Sequence, residues 1–397
     1  MSIFKIKGVI QNYAWGGDFY IPNLLDLQTT EEKCAEYWMG AHDKAPATLE
    51  GENFKLNELI RKDPVGLLGE KVYEKFGRLP YLFKVLDVNN ILSIQVHPSK
   101  KEAEKGFALE NEKGIPLSAP FRNYKDDNHK PEIMVALGDF WLLHGFKPKD
   151  ELKETLGSTN ELIHLLPIFE QSGYKGLYQF VMEESPEDTN RTLRPLIDRI
   201  LTKYQEGKIE KSSPDFWAAR AFLTFCPKGD LDKGLYSIYF FNIVNVKEGE
   251  AVFQDAGVPH AYMEGQNMEL MANSDNVLRG GLTPKHVDVT ELLKHVTFSE
   301  TIPNILKGDL QSDGLERIYH SSAPDFELSK IDMNANSAYK TSTKTLEILI
   351  VLEGETIVKS DKESFTLARG EVFAATANTS YRIESEHAIL YKAKCPL

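Results

Sequence analysis

The sequence predicts a mainly β chain with one inserted helical unit, and three observations carry that reading. Strand-like runs with short interruptions dominate roughly the first 145 residues. From about Pro148 to Asp230 the apolar residues switch to helical spacing. Strand character then returns at Tyr236 and continues, with one short helix, to the C-terminus.

Taken in order, a helix is expected from about Leu56 to Phe76, broken near Pro64. The run Pro80 to Pro98, PYLFKVLDVNNILSIQVHP, holds two β-rich stretches around a turn at Asn89-Asn90. Within it Leu92, Ile94 and Val96 alternate with Ser93, Gln95 and His97, so Gln95 and His97 share one face of a strand. In the helical block, Leu193, Leu196, Ile197, Ile200, Leu201 and Tyr204 form an amphipathic stripe. Ser185-Pro186-Glu187-Asp188 and Ser213-Pro214-Asp215 each offer an N-cap serine, a proline at the first helical position and an acid in the first turn. Tyr236 to Val246 (YSIYFFNIVNV) reads as a strand and residues 288–296 as a helix. Gly249-Glu250 leads into AVFQDAGVPHAY and Gly370-Glu371 into VFAATANTSYRI, an echo in which His260 and Tyr381 take equivalent places. Two related β units would account for it.

Composition bounds the function. A chain of 397 residues, 42% hydrophobic and 26% charged, is an ordinary folded protein of two or three domains. A net charge of −13 argues against nucleic acid or an anionic membrane as main partner, although a local basic pocket for a small anion stays open. Cys34, Cys226 and Cys395 lie far apart, which fits a reducing compartment and offers neither a thiolate zinc site nor a disulfide framework. The start MSIFKIKGVIQNYAW has no long apolar stretch, and no apolar run approaches the ~18 residues of a spanning helix. A cytoplasmic, monomeric protein is expected.

Chemistry concentrates in three places. The segment His260 to Lys285, HAYMEGQNMELMANSDNVLRGGLTPK, packs a histidine, Glu269, Asp275, Arg279 and Lys285 into sequence without a core-building period. Gln95 and His97 form the second group, although a lone strand histidine is more often a structural hydrogen-bonder. The third is Tyr124 to Glu132, YKDDNHKPE, whose plainer reading is a solvated polar turn; against it, Glu132 opens the apolar run EIMVALG and so sits at a strand mouth. His260 follows a backbone-fixing Gly257-Val258-Pro259 turn. Together these supply one amide, two imidazoles and one carboxylate without sulfur, a set that suits Zn, Mn, Fe or Co. Two histidines and a carboxylate equally describe a non-haem iron triad, and spacing does not separate these options.

These stretches resemble the type I mannose-6-phosphate isomerases (phosphomannose isomerases). YKDDNHKPE is similar to one family signature and the His260–Lys285 segment to a longer one. QNYAWGG (Gln11 to Gly17) and LPYLFKVLDVNNILSIQVHPSK (Leu79 to Lys100) are similar to family sequence as well. The likeness runs from the N-terminus to about Lys285 and is looser through the helical block and the C-terminal third. One departure is Gly280, where the family usually has alanine; it is expected to loosen the loop beside Arg279.

The resemblance implies a cupin-type (jelly-roll) catalytic barrel of residues 1–147 and 235–299, an inserted helical domain of 148–234 and a cupin-like barrel of 300–397. It implies one zinc ion per chain, with Gln95, His97, Glu132 and His260 as ligands. It places Arg279 beside the sugar, and Lys130, Lys100 and Lys285 at the site or near the phosphate. The implied reaction interconverts mannose 6-phosphate and fructose 6-phosphate by moving a proton between C1 and C2 through a cis-enediol(ate). Lys130 is the favoured base, with His129, Glu269, Asp275 and Lys285 as competitors. Two rival functions remain from the residues alone: an iron-dependent cupin oxygenase, and a non-catalytic metal-stabilised sugar-binding barrel. The basic cluster Lys100, Lys130, Arg279 and Lys285 favours a phosphorylated sugar over the oxygenase, and turnover of mannose 6-phosphate separates the isomerase from the binding barrel.

Overall fold

In the computed structural model, which describes residues 2–27, 32–52, 54–334 and 337–397, the chain is a mixed helix and sheet protein with two antiparallel sheets. A ten-stranded sheet carries the sequence motifs, and an eleven-stranded sheet holds the C-terminal strands. Its backbone is organised around one long strand, His260–Ala272. The first part of this strand pairs with Phe140–Phe146 and, through His260, with Gln95–Val96; the second part pairs with Tyr81–Val88 and Glu132–Ala136. The register shifts between Tyr262 and Glu264, and Gly265 follows with φ +121°. A side chain there would meet the Asp139 carbonyl at 2.5 Å, so only glycine lets the strand bend this closely. The bend lets one strand serve two layers, and no ladder among the described residues closes either sheet into a barrel.

The N-terminal strand Ile3–Lys7 pairs with Val372–Ala375 and with Thr48–Leu49 in the sheet of the C-terminal strands. One apolar core joins the two sheets, with Tyr37, Phe83 and Leu270 on one side and Phe326, Ile348 and Tyr391 on the other. The buried Tyr81 hydroxyl donates to the carbonyls of Leu346 and Ala393, each at 3.1 Å, across that boundary. A separate core packs the helices Leu166–Glu183, Pro186–Gln205 and Pro214–Phe225 against the sheet through Leu177, Leu196 and Trp217.

Local expectations hold in several places. The Ser185 and Ser213 side chains accept from Asp188 N and Asp215 N, as N-caps do. The helix near Pro64 is broken into Leu56–Lys62, Pro64–Leu68 and Glu70–Phe76. The helix Val289–His295 is capped by Asp288. Gly249 and Gly370, the glycines of the echo, both turn with positive φ, +77° and +84°.

Three expectations need correction. Tyr236–Phe240 is not strand but part of the helix Gly234–Phe240, and the strand begins at Phe241. All seven helix residues are buried, so no polar face reveals a helical period, while the Asp232 carboxylate accepts from Gly234 N at the helix start. In ILSIQVHP only Gln95–Val96 pairs as strand; Leu92 N and Ile94 N bond instead to the carbonyls of Tyr262 and Gly281. The largely β reading of the N-terminal third also omitted the thirteen-residue helix Lys100–Glu112, capped by Ser99.

Candidate metal centre

Three ionisable side chains from separate strands meet at one point. His97 follows Gln95–Val96, Glu132 opens Glu132–Ala136 and His260 opens His260–Ala272. Their ligand atoms lie within 4.8 Å of one another and all three residues are buried. His97 Nε2 lies 3.4 Å from Glu132 Oε1, and His260 Nε2 lies 3.3 Å from Glu132 Oε2.

Each ring is oriented by its other nitrogen. His97 Nδ1 donates to the Asn276 carbonyl and His260 Nδ1 to the Val258 carbonyl, both at 2.9 Å. A carbonyl only accepts, so the protons sit on Nδ1 and the Nε2 lone pairs point at the carboxylate. His97 Nε2 is buried with no hydrogen-bond partner. Burial, opposed by Glu132, brings the His97 pKa down to about 4, so this ring is neutral at neutral pH. Burial alone would raise the pKa of Glu132, but the Lys130 ammonium outweighs it and holds the carboxyl well below its usual range. Bare nitrogens facing a buried carboxylate are a cation's donor set, with backbone carbonyls fixing the rings from behind.

Gln95 is placed beside this set by the sheet register. It is the direct ladder partner of His260, which pairs on its other side with His144, and Gln95 in turn pairs with Arg279. Opposed residues in an antiparallel ladder project to the same face. The row His144, His260, Gln95, Arg279 therefore brings an amide and a guanidinium alongside the imidazole.

The other predicted site residues fall into two groups. Lys130 Nζ lies 2.8 Å from Glu132 Oε1, inside the cluster. Glu269 is buried and pairs with Lys84 at 2.9 Å; burial raises its pKa against the pull of Lys84. Asp275 pairs with Lys44 at 2.7 Å and lies 3.7 Å from His42. Burial lowers the pKa of Arg279, and Lys285 is exposed. Lys100 is half-exposed on its helix and donates to the Asp127 carbonyl at 3.0 Å. His129 points away from the cluster, with Nε2 2.8 Å from buried Asp325 of the C-terminal region, so its imidazole is engaged between the two sheets.

Several residues of the site were not anticipated. Lys84 is buried in the mostly apolar strand Tyr81–Val88, beside Glu269 and 3.6 Å from Glu36, with its ammonium 5.3 Å from the Trp38 ring centroid. Burial would lower the pKa of Lys84, but Glu269 and Glu36 overcome it and keep the ammonium charged. The signal was present: a lysine within PYLFKVLDV needs a buried acid. Asn276 ties the two motifs together, accepting from Lys125 N at 2.7 Å and donating to the carbonyls of Asp126 and Asn128 at 2.8 and 2.9 Å. Asp275 also lines a cleft of about 650 Å³ with Lys125 of the YKDDNHKPE motif and with Lys44, Arg61 and Arg78, cations that lie outside the sequence motifs.

A model of the family described as phosphomannose isomerase type I, catalytic domain, matches residues 3–149. The chain is 36% identical over 375 residues to mannose-6-phosphate isomerase of Salmonella typhimurium, covering 92% of this chain and 93% of that protein. The chain belongs to the type I phosphomannose isomerase family. Its likeness to the mannose-6-phosphate isomerase of Mus musculus is 32% over 440 residues, covering 100% of this chain and 99% of the other. Among solved structures, the Salmonella typhimurium enzyme bound to substrate and zinc superposes with a TM-score of 0.88 at 32% identity, covering 100% of both chains. A zinc-bound holo form of mannose 6-phosphate isomerase gives the same TM-score of 0.88.

The family resemblance also made Gly280 notable, and the structure gives it a reason. A Cβ at Gly280 would stand 2.8 Å from the Tyr178 hydroxyl and 2.9 Å from Ile94 Cγ2. Tyr178 comes from the helix Leu166–Glu183 and is fully buried. The glycine makes room for a phenol of the helical unit, so the expectation of a looser loop gives way to a tightly filled one.

Proposed function

We propose that the chain is a zinc-dependent aldose–ketose isomerase that interconverts mannose 6-phosphate and fructose 6-phosphate. The observation that carries this reading is the pair of buried imidazoles, each donating through Nδ1 to a backbone carbonyl and turning Nε2 to the same carboxylate. Gln95, His97, Glu132 and His260 would hold the ion, one per chain. Two neutral rings, an amide and one carboxylate leave a divalent cation with net positive charge. When bound, the zinc supplies Lewis acidity toward a sugar oxygen.

The chain's own groups do the remaining work. Arg279, on the ladder beside Gln95, supplies fixed positive charge where the enediolate develops. Lys130, beside Glu132, would move the proton between C1 and C2, taking it as the free amine once Glu132 is given over to the cation. Glu269 and Asp275, held by Lys84 and Lys44, border the sugar. Lys100 and Lys285 receive the phosphate from the rim. We read the enzyme as a monomer.

We read residues 1–147 with 235–299 as a cupin-like catalytic unit that lends its first strand to the other sheet. Residues 148–234 are the inserted helical unit and 300–397 a second cupin-like unit. We read the protein as cytoplasmic; no helix among the described residues is long and apolar enough to cross a membrane, and Cys34, Cys226 and Cys395 are buried far from one another in sequence.

Turnover of mannose 6-phosphate by the pure protein tests the reading. Chelation should abolish it and added zinc restore it. Full activity in metal-free protein would remove the Lewis-acid role, and oxygen uptake with iron would favour an oxygenase instead.

A further inference from the structure

Behind the metal cluster lies a hydrogen-bonded pair that the reaction as described does not use. His144 Nδ1 lies 2.7 Å from Gln254 Oε1, and both residues are buried, Gln254 completely. The pair occupies particular ladder positions. Gln254 is the direct partner of Glu132, and His144 the direct partner of His260. Opposed residues in an antiparallel ladder share a face, with Cβ atoms about 4.5–5.5 Å apart. Each member therefore stands beside one proposed metal ligand, and the two are joined to each other.

The amide is only half used. Gln254 Nε2 is buried with no hydrogen-bond partner. Since its oxygen accepts from His144, the two N–H bonds of that nitrogen are free to donate. Turning the amide over would set its nitrogen against His144 Nδ1 and its oxygen on the side of Glu132, whose carboxylate offers nothing to donate. A buried donor without an acceptor is costly, and a glutamine kept for packing alone would be better replaced by an apolar residue. The nearest ladder neighbour with lone pairs to offer is Glu132.

We infer that His144 and Gln254 are a positioning pair for the metal centre, in which Gln254 donates its free amide hydrogen to the Glu132 carboxylate and His144 fixes the amide in that orientation. The inference rests on the metal-centre reading above. It assigns to the pair the outer contacts that keep a ligating carboxylate aimed and limit its charge, a role whose loss typically weakens metal binding roughly tenfold to hundredfold.

The test is the zinc affinity of the full chain, stripped of metal and titrated against a chromophoric chelator. Gln254→Met and His144→Phe should each weaken zinc binding about tenfold to hundredfold, and the double variant should be no worse than the weaker single one, because the pair acts as a unit. The metal-free double variant, which removes both partners of the His144–Gln254 bond, should melt near the wild-type temperature. Zinc affinities within about twofold of wild type in both variants would overturn the inference and leave the pair a packing feature. A crystal structure of the zinc-loaded wild type tests it without substitution: Gln254 Nε2 should lie within about 3.2 Å of a Glu132 oxygen, and a wider separation would contradict it. If the wild type itself binds no zinc, the metal-centre reading fails rather than the role of the pair.

Discussion

Lys130 and Gly280 show what single side chains decide. Lys130 ends on Glu132, so its ammonium is held at the cluster rather than in solvent. Replacing it with methionine should abolish exchange of substrate protons with solvent and cut turnover by at least about a hundredfold, with zinc content unchanged. Exchange that persists would move the base to another group, with Glu269 next in place. At Gly280 the space is already filled by Tyr178, so Gly280→Ala should cost about 1–3 kcal/mol by denaturant unfolding. Adding Tyr178→Phe should recover much of that loss, because the hydroxyl is the nearest obstruction. An alanine variant as stable as wild type would show that the phenol moves freely. His97, Glu132 and His260 could be picked out in the sequence because each carries a local mark: a place in alternation with Gln95, a charged strand mouth, a Gly-x-Pro entry. Lys84 escaped notice because strand reading follows the apolar majority of PYLFKVLDV, and the partners Glu269 and Glu36 that make a buried lysine tolerable are remote in the chain. Gln254 and His144 escaped for a similar reason, since only the register brings them beside Glu132 and His260.

Among the elements, the connection between motifs matters more than either motif alone. The turn at Asp126–Asn128 and the segment Ser274–Asn276 are bound together by Asn276 and Asp126, and the same Asn276 carbonyl orients His97. Asn276→Ala removes the side-chain half of that clamp. It should weaken zinc binding roughly tenfold to hundredfold while circular dichroism stays native. Unchanged zinc affinity would show that the backbone alone holds the turn. Elements with polar punctuation were legible: the Ser185 and Ser213 caps and the break at Pro64 all lie where local chemistry puts them. Gly234–Phe240 was not, because a helix buried on every side has no exposed face, and its aromatic residues suit a strand equally. The helix Lys100–Glu112 was hidden in the opposite way, with few apolar residues to mark a period.

The whole molecule consists of two sheets that share a core, and only one of them carries the metal cluster. The other encloses a polar network instead. Lys392 Nζ lies 2.7 Å from Glu316 Oε1 and donates to the Tyr339 hydroxyl at 2.6 Å, while Tyr339 and Ser329 both donate to Glu316. Burial alone would raise the Glu316 pKa, but Lys392 and the surrounding hydrogen bonds outweigh it and hold the carboxyl below its ordinary value. A carboxyl depressed by folding stabilises the protein above its unfolded pKa of about 4.3, and that contribution fades as pH falls through the folded value. Lys392→Met leaves the carboxylate buried and unpaired, so it should cost about 3–5 kcal/mol at neutral pH. The deficit should shrink as pH drops toward the carboxylate range, where Glu316 takes a proton. A deficit that does not depend on pH would assign the loss to packing.

The account depends on a divalent ion held by nitrogen and oxygen donors of Gln95, His97, Glu132 and His260. X-ray absorption at the zinc edge of the purified, zinc-loaded protein tests this directly. The expected spectrum shows imidazole nitrogens and oxygens at about 2.0–2.2 Å and no sulfur, with the imidazole signal reduced in His97→Ala. Sulfur at about 2.3 Å, or a spectrum unchanged by that substitution, would place the metal elsewhere and contradict the account.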